Sequence, residues 1–174
     1  MILNFELWYQ AEYARLVNTL AMVTGDRSLA ADAAAEACTK ALSRWNRVGA
    51  MERPGGWVYR VALNEARRRA KRRSTEGRLL AQSVADTEVT EPPVDGDLDL
   101  WSAVARLPER TKEAVVLRYV ADLTEPEIGK ALGVSRGTVA TMLRRAHAKL
   151  AEDLGPDRFP ETAPTQELLD VYNR

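Results

Sequence analysis

Between Thr124 and Val139 the chain carries two signals to start a helix and one to stop it. Thr124-Glu125-Pro126-Glu127 reads as a capping box. The Thr hydroxyl accepts the N3 amide, the Glu at N3 reaches back to the cap amide, and proline stands in the first turn, where no N–H is needed. The short helix it opens turns Ile128 and Leu132 inward and stops at Gly133. Gly133-Val134-Ser135 then makes a turn, with Ser135 placed to cap the next helix. On that helix Val139, Leu143, Ala146 and Leu150 form one stripe, and Gly137, Thr141, Arg144, Arg145 and Ala148 form the opposite one. A short helix, a tight turn and a basic-faced helix describe a helix-turn-helix. Small residues let such a helix approach the major groove, and arginines reach base edges or phosphates. A plain helical bundle with a solvated face is the bland alternative. The absence of any acidic residue between Ser135 and Leu150 argues against it.

The remainder also has helical periodicity. Pro108 is expected in the first turn of a helix running through Glu113 to Tyr119. From Phe5 to Val23, the residues Leu7, Trp8, Ala11, Ala14, Leu16, Leu20 and Val23 follow a helical stripe. Gly25-Asp26 interrupts it, and Asp26 or Ser28 can cap an alanine-rich helix over Leu29 to Trp45. A loop is expected at Asn46 to Gly56, then a third helix from Trp57 into an arginine block. Alternation of period two is absent, so no sheet is expected. The expectation is all-α: two small helical domains, 5–80 and 98–152, joined by an acidic flexible linker over 81–97. A tail follows over 153–174, with a short helix at Gln166 to Tyr172.

Charge segregates in the same pattern. The 25 basic and 25 acidic residues cancel. Yet Arg60 to Arg73 holds seven basic residues against Glu65 alone, while Asp86 to Leu100 holds six acidic residues and no basic one. Two basic blocks kept apart by acidic segments suit two polyanion sites on a soluble chain. No apolar run is long enough to span a membrane, and no secretory signal is visible. The single cysteine, Cys38, excludes an internal disulfide and reads as a small inert core residue. One His and one Cys offer no nucleophile–base set, and no phosphate-loop or metal motif occurs. Cytoplasmic location, no metal, no cofactor and no catalysis are the expectations. Trp8, Trp45 and Trp101 read as packing residues and His147 as structural. Trp57 and Tyr59, two apart on one helix, cannot both face the same way.

Several ordered strings carry a family resemblance. Leu107-Pro-Glu-Arg110, Val116-Leu-Arg-Tyr-Val120, Leu123-Thr-Glu-Pro-Glu-Ile128 and Leu132-Gly-Val-Ser-Arg-Gly-Thr-Val139 resemble domain 4 of bacterial sigma factors, in the extracytoplasmic-function (ECF) group that has only domains 2 and 4. Gly25-Asp26-Arg27, Asp32, Glu36 and Trp45 are similar to the polymerase-binding helices of domain 2, and Trp57 to Asn64 to its promoter-melting helix. The resemblance implies core RNA polymerase and promoter DNA as partners, and an anti-sigma factor as a masking partner. By carry-over Arg136, Gly137, Thr138, Thr141, Arg144 and Arg145 read the minus-thirty-five element. Trp57, Tyr59, Arg60, Asn64, Arg67 and Arg68 take the minus-ten strand, with the loop Val48 to Gly56 and the face carrying Asn64 forming the base pocket. Arg67, Arg68, Arg69, Lys71, Arg72 and Arg73 hold phosphates. Asp32, Glu36 and Trp45 bind polymerase. The chain departs from the family pattern at Ala31, Ala34, Ala35 and Cys38, where larger side chains and a Gln are usual, and this is expected to weaken the polymerase contact. It departs again at Ala140, Met142 and His147, where basic residues are usual, predicting fewer phosphate contacts. Two further functions compete: a stand-alone helix-turn-helix regulator on a palindromic site, and a sigma-like protein-interaction module that reads no promoter.

Overall fold

The computed structural model describes residues 4–79 and 98–155. The expected linker over 81–97 and the expected helix at Gln166 to Tyr172 lie outside the described residues. All eight elements among the described residues are helices, as expected for an all-α chain. They fall into two compact units.

The first unit contains α1 (Phe5–Thr24), α2 (Arg27–Leu42), α3 (Trp45–Val48) and α4 (Pro54–Leu79). Asn4 caps α1, its Oδ1 accepting the Glu6 amide at 2.8 Å. Gly25 closes that helix in the left-handed region, φ +71°, where glycine has no Cβ penalty. Asp26, not Ser28, caps α2, accepting the Leu29 amide at 2.8 Å. Ala30, Ala33, Ala34, Ala37 and Ala41 line the inner side of α2 and are fully buried. They recur at helical spacing, and their small size lets α1 and α4 pack closely against α2. Leu16, Leu20 and Ala21 of α1 and Val58, Ala62, Leu63 and Ala66 of α4 complete the core.

Three expectations are corrected in this unit. The α1 stripe is misplaced: Leu7 is 65% exposed, and Ala11 and Ala14 are exposed too. The buried face gathers instead on Trp8 and the Leu16–Val23 half. The alanine-rich helix stops at Leu42 rather than Trp45, and part of the expected loop is the single-turn α3. Finally, α4 starts at Pro54, because proline presets φ for a first turn and has no amide to leave unpaired there.

The second unit contains α5 (Leu98–Ala105), α6 (Glu109–Tyr119), α7 (Glu125–Leu132) and α8 (Arg136–Leu154). Pro108 sits at the cap of α6 rather than within its first turn. Val139, Leu143, Ala146 and Leu150 of α8 pack on the other three helices and are buried, as their stripe predicted. Among the described residues no helix is long and apolar enough to cross a membrane.

Candidate nucleic-acid interface

The turn between α7 and α8 is built as its residue types require. The Thr124 amide donates to Glu127 Oε2 at 2.8 Å, completing the capping box. Gly133 ends α7 at φ +71°, and Ser135 Oγ accepts the Thr138 amide at 3.1 Å. A second glycine, Gly129, decides how tightly the turn folds back. A Cβ there would lie 2.8 Å from the Val134 carbonyl oxygen, and the Val134 amide donates to the Gly129 carbonyl at 2.9 Å. Backbone cannot yield as a side-chain tip can, so this approach needs glycine.

The free side of α8 carries Arg136, Gly137, Thr138, Thr141, Arg144 and Arg145, all exposed except the half-buried Thr141. Thr141 donates its hydroxyl to the Gly137 carbonyl at 3.0 Å. Arg144 and Arg145 make no ion pair with the described residues, whereas Arg136 Nε donates to Glu125 Oε2 at 3.0 Å. Behind this face the Tyr119 hydroxyl hydrogen-bonds His147 Nε2, joining α6 to α8. Burial pushes the tyrosine up to about 12 and lowers the histidine, so the pair is neutral at neutral pH. His147 is thus tied into the unit.

On α4 the spacing of Trp57, Arg60, Asn64, Arg67 and Arg68 brings them to one side of the helix, where Asn64 and Arg68 are exposed and the others half-buried. Tyr59 is the correction. It is 2% exposed, its hydroxyl 3.4 Å from Thr19 Oγ1, and it faces the core, where it cannot stack on a base. Trp45 is a packing residue, as its reading alongside Trp8 expected. It is 8% exposed and packs edge-on to Phe5, with centroids 5.0 Å apart, and on Trp8 at 5.3 Å.

The arginine block is not simply presented to solvent. Glu65, its lone acid, is buried and accepts from Arg68 and from Lys40 Nζ, the latter at 3.2 Å, with Arg69 Nε 3.5 Å away. The Arg68 hydrogen bond, outweighing burial, holds this carboxyl below the ordinary range. Asp32 pairs with Arg69 at 3.3 Å and Asp26 with Arg73 at 2.5 Å, so α2 lends carboxylates to α4. Glu36 pairs with Lys40 at 3.2 Å. Sequence reasoning named Glu65 but missed its pairing, although one acid three residues before Arg68 and four before Arg69 is the usual helix-pair signal. It also missed Glu125, Gly129 and Tyr119, whose roles depend on tertiary neighbours. Among the described residues no group of His, Cys, Asp and Glu could hold a metal.

Comparison with known proteins places this geometry. The family model for Sigma-70 region 2 matches residues 8–76, and that for Sigma-70 region 4 matches residues 97–150. The chain is 28% identical over 156 residues to the RNA polymerase sigma-E factor of Streptomyces coelicolor, covering 88% of this chain and 87% of that protein. It is 32% identical over 127 residues to the RNA polymerase sigma factor SigV of Bacillus subtilis, covering 67% of this chain and 70% of that protein. It spans 36% of the length of a further relative, an uncharacterised protein of Rhizobium meliloti. The fold is similar to that of the sigma factor RpoE of Bartonella quintana, solved with the anti-sigma factor NepR, at a TM-score of 0.71 and 19% identity, over 88% of this chain and 98% of that one. With both regions in order, and with ECF sigma factors among its relatives, the chain belongs to the ECF group of RNA polymerase sigma factors, which direct transcription initiation.

Proposed function

We propose that the two units divide promoter recognition between them, residues 98–152 reading the minus-thirty-five element and residues 5–80 opening and holding the minus-ten element. The observation that carries this reading is the outer side of α8. It has small residues at Gly137 and Thr141, and Arg144 and Arg145 are exposed with no ion pair to any described residue. A helix shaped this way fits the major groove, where arginine donates to base edges and phosphates. On α4, Asn64 offers both a donor and an acceptor to a base edge. Trp57 supplies a stacking surface worth ~1–3 kcal/mol per base. Arg60, Arg67 and Arg68 flank them for phosphates. On α2, Asp32 and Glu36 remain within reach of solvent and supply the acidic contacts to core polymerase. The chain directs the polymerase's chemistry and performs none itself, and it works in the cytoplasm. Because a structural neighbour was solved with an anti-sigma factor, a masking protein over these faces is part of the proposal.

Run-off transcription with purified core polymerase on a genomic promoter library tests the reading. Discrete transcripts sharing a two-part upstream motif are expected only when this protein is added. A lack of transcripts combined with failure to co-elute with core overturns it, and DNA binding to a palindrome without polymerase would instead identify a stand-alone regulator.

A further inference from the structure

Arg136 opens α8, and its side chain is 74% exposed. That is an unfavourable place for a cation, because the amino end of a helix carries partial positive charge. Nor does the first turn of α8 contain an acid to offset it. The compensating carboxylate comes from across the turn: Glu125 Oε2 accepts from Arg136 Nε at 3.0 Å. Glu125 is available for this because the capping box of α7 uses Glu127, which takes both the Thr124 amide and, at 2.7 Å, its hydroxyl. An ion pair this exposed adds little to folding. Its consequence is geometric.

A guanidinium is a planar fork of five N–H donors. With Nε held by Glu125, the two terminal nitrogens remain as a parallel donor pair at the amino end of α8. In a helix-turn-helix that end of the second helix meets base edges. The acceptor pair that matches such a fork in the major groove is O6 and N7 of guanine. We infer that Glu125 is a positioning residue: it aims Arg136 at one guanine of the upstream element and so makes one base pair specific without touching DNA itself. Its own negative charge acts in the same sense, since it repels phosphates wherever the arginine finds no guanine to engage. The inference rests on α8 reading the upstream element, as proposed above.

The test is transcription by full-length protein with core polymerase on promoters randomised through the upstream element, with holoenzyme–promoter binding measured in parallel. The wild-type protein is expected to prefer guanine at one position. Arg136→Ala loses that preference by roughly 5- to 150-fold, the range for one bidentate base contact. Arg136→Lys keeps the charge but not the rigid fork, and retains overall affinity with a reduced preference for guanine. Glu125→Gln reduces discrimination at the same position by roughly 1.4- to fivefold, the range of an exposed ion pair, while binding to all other sequences stays equal or rises. A purely structural role for Glu125 would instead weaken every promoter alike. Uniform loss with Arg136→Ala, marking a phosphate contact, overturns the inference. So does an unchanged base profile with Glu125→Gln. If the wild-type protein transcribes normally but prefers no guanine, this inference alone falls; if it neither transcribes nor binds core, the reading of the whole chain falls with it.

Discussion

Gly137→Ala separates what folds α8 from what α8 does. A Cβ at Gly137 would meet only Ser135 Oγ, at 3.8 Å, an ordinary van der Waals contact, and the residue does not adopt positive φ. Nothing among the described residues therefore requires glycine there. Glycine in a helix costs about 0.5–1 kcal/mol relative to alanine, chiefly through backbone entropy in the unfolded chain. Near the amino end the lower part of that range applies, so the substitution should stabilise the second unit by ~0.5 kcal/mol. For a unit of this size such a gain corresponds to a rise of ~2–4 °C in midpoint. Promoter binding should move the other way. If the α8 backbone lies against the groove at Gly137, an added methyl forces a misfit, and overpacking costs ~1–3 kcal/mol. Minus-thirty-five-dependent transcription should then drop by about 5- to 150-fold. Circular-dichroism melting of the full chain, run beside transcription with core polymerase, reads both quantities. A lowered midpoint with lost transcription would make Gly137 structural; a raised midpoint with intact transcription would mean that α8 does not approach DNA at this residue.

Three further outcomes are expected. Gly129→Ala gains the same helix propensity but drives its Cβ to 2.8 Å from backbone at Val134, so urea unfolding should show a net loss of about 1–2 kcal/mol. Glu65→Gln removes the common counter-ion of Lys40, Arg68 and Arg69; because those partners are partly exposed, the loss in chemical denaturation should be about 1–2 kcal/mol rather than the 3–5 of a fully buried pair. His147 is held below its ordinary value of 6.5 by burial, so below that pH the unfolded chain binds more protons than the folded one. Stability should therefore fall as pH drops through and below about 6.5, and His147→Gln should remove that part of the slope in melting curves recorded at stepped pH.

Where a signal was local, the sequence was enough. The capping box at Thr124, the stop at Gly133, the cap at Ser135 and the inward stripe of α8 each depend on residues within a turn or two of one another, and each appears as read. The all-helical class followed from the same periodicities. What required the third dimension was less legible. Alanine is a good helix former on any face, so Ala11 and Ala14 looked as core-like as Ala33 and Ala37, and only the position of α2 shows which pair is covered. The departures from the family pattern at Ala34 and Cys38 likewise change meaning. Both side chains point inward, and burial raises the Cys38 thiol to about 11, so they alter core volume rather than an outward contact. At Trp57 and Tyr59 helix geometry required the two rings to diverge, but which one entered the core depended on Thr19, forty residues away.

The arginine block of α4 shows why a count of cations overstates a binding site. Read along the chain, Arg67 to Arg73 is dense positive charge on a protein whose total is zero, and every member invites assignment to a phosphate. In the folded unit Arg68, Arg69 and Arg73 already face Glu65, Asp32 and Asp26. A phosphate reaching one of these arginines must compete with a carboxylate, so it gains the difference between two ion pairs and releases fewer counterions. Each net phosphate contact on a single strand steepens the salt dependence of affinity by about 0.7 in the log–log slope. Three exchanged rather than new contacts should make the slope for minus-ten strand binding shallower by up to about 2 than the arginine count suggests. Asp26→Asn combined with Asp32→Asn should recover part of that difference in filter-binding titrations against salt. An unchanged slope would mean that these ion pairs are too weak in solution to hold the arginines back, leaving the whole block available to DNA.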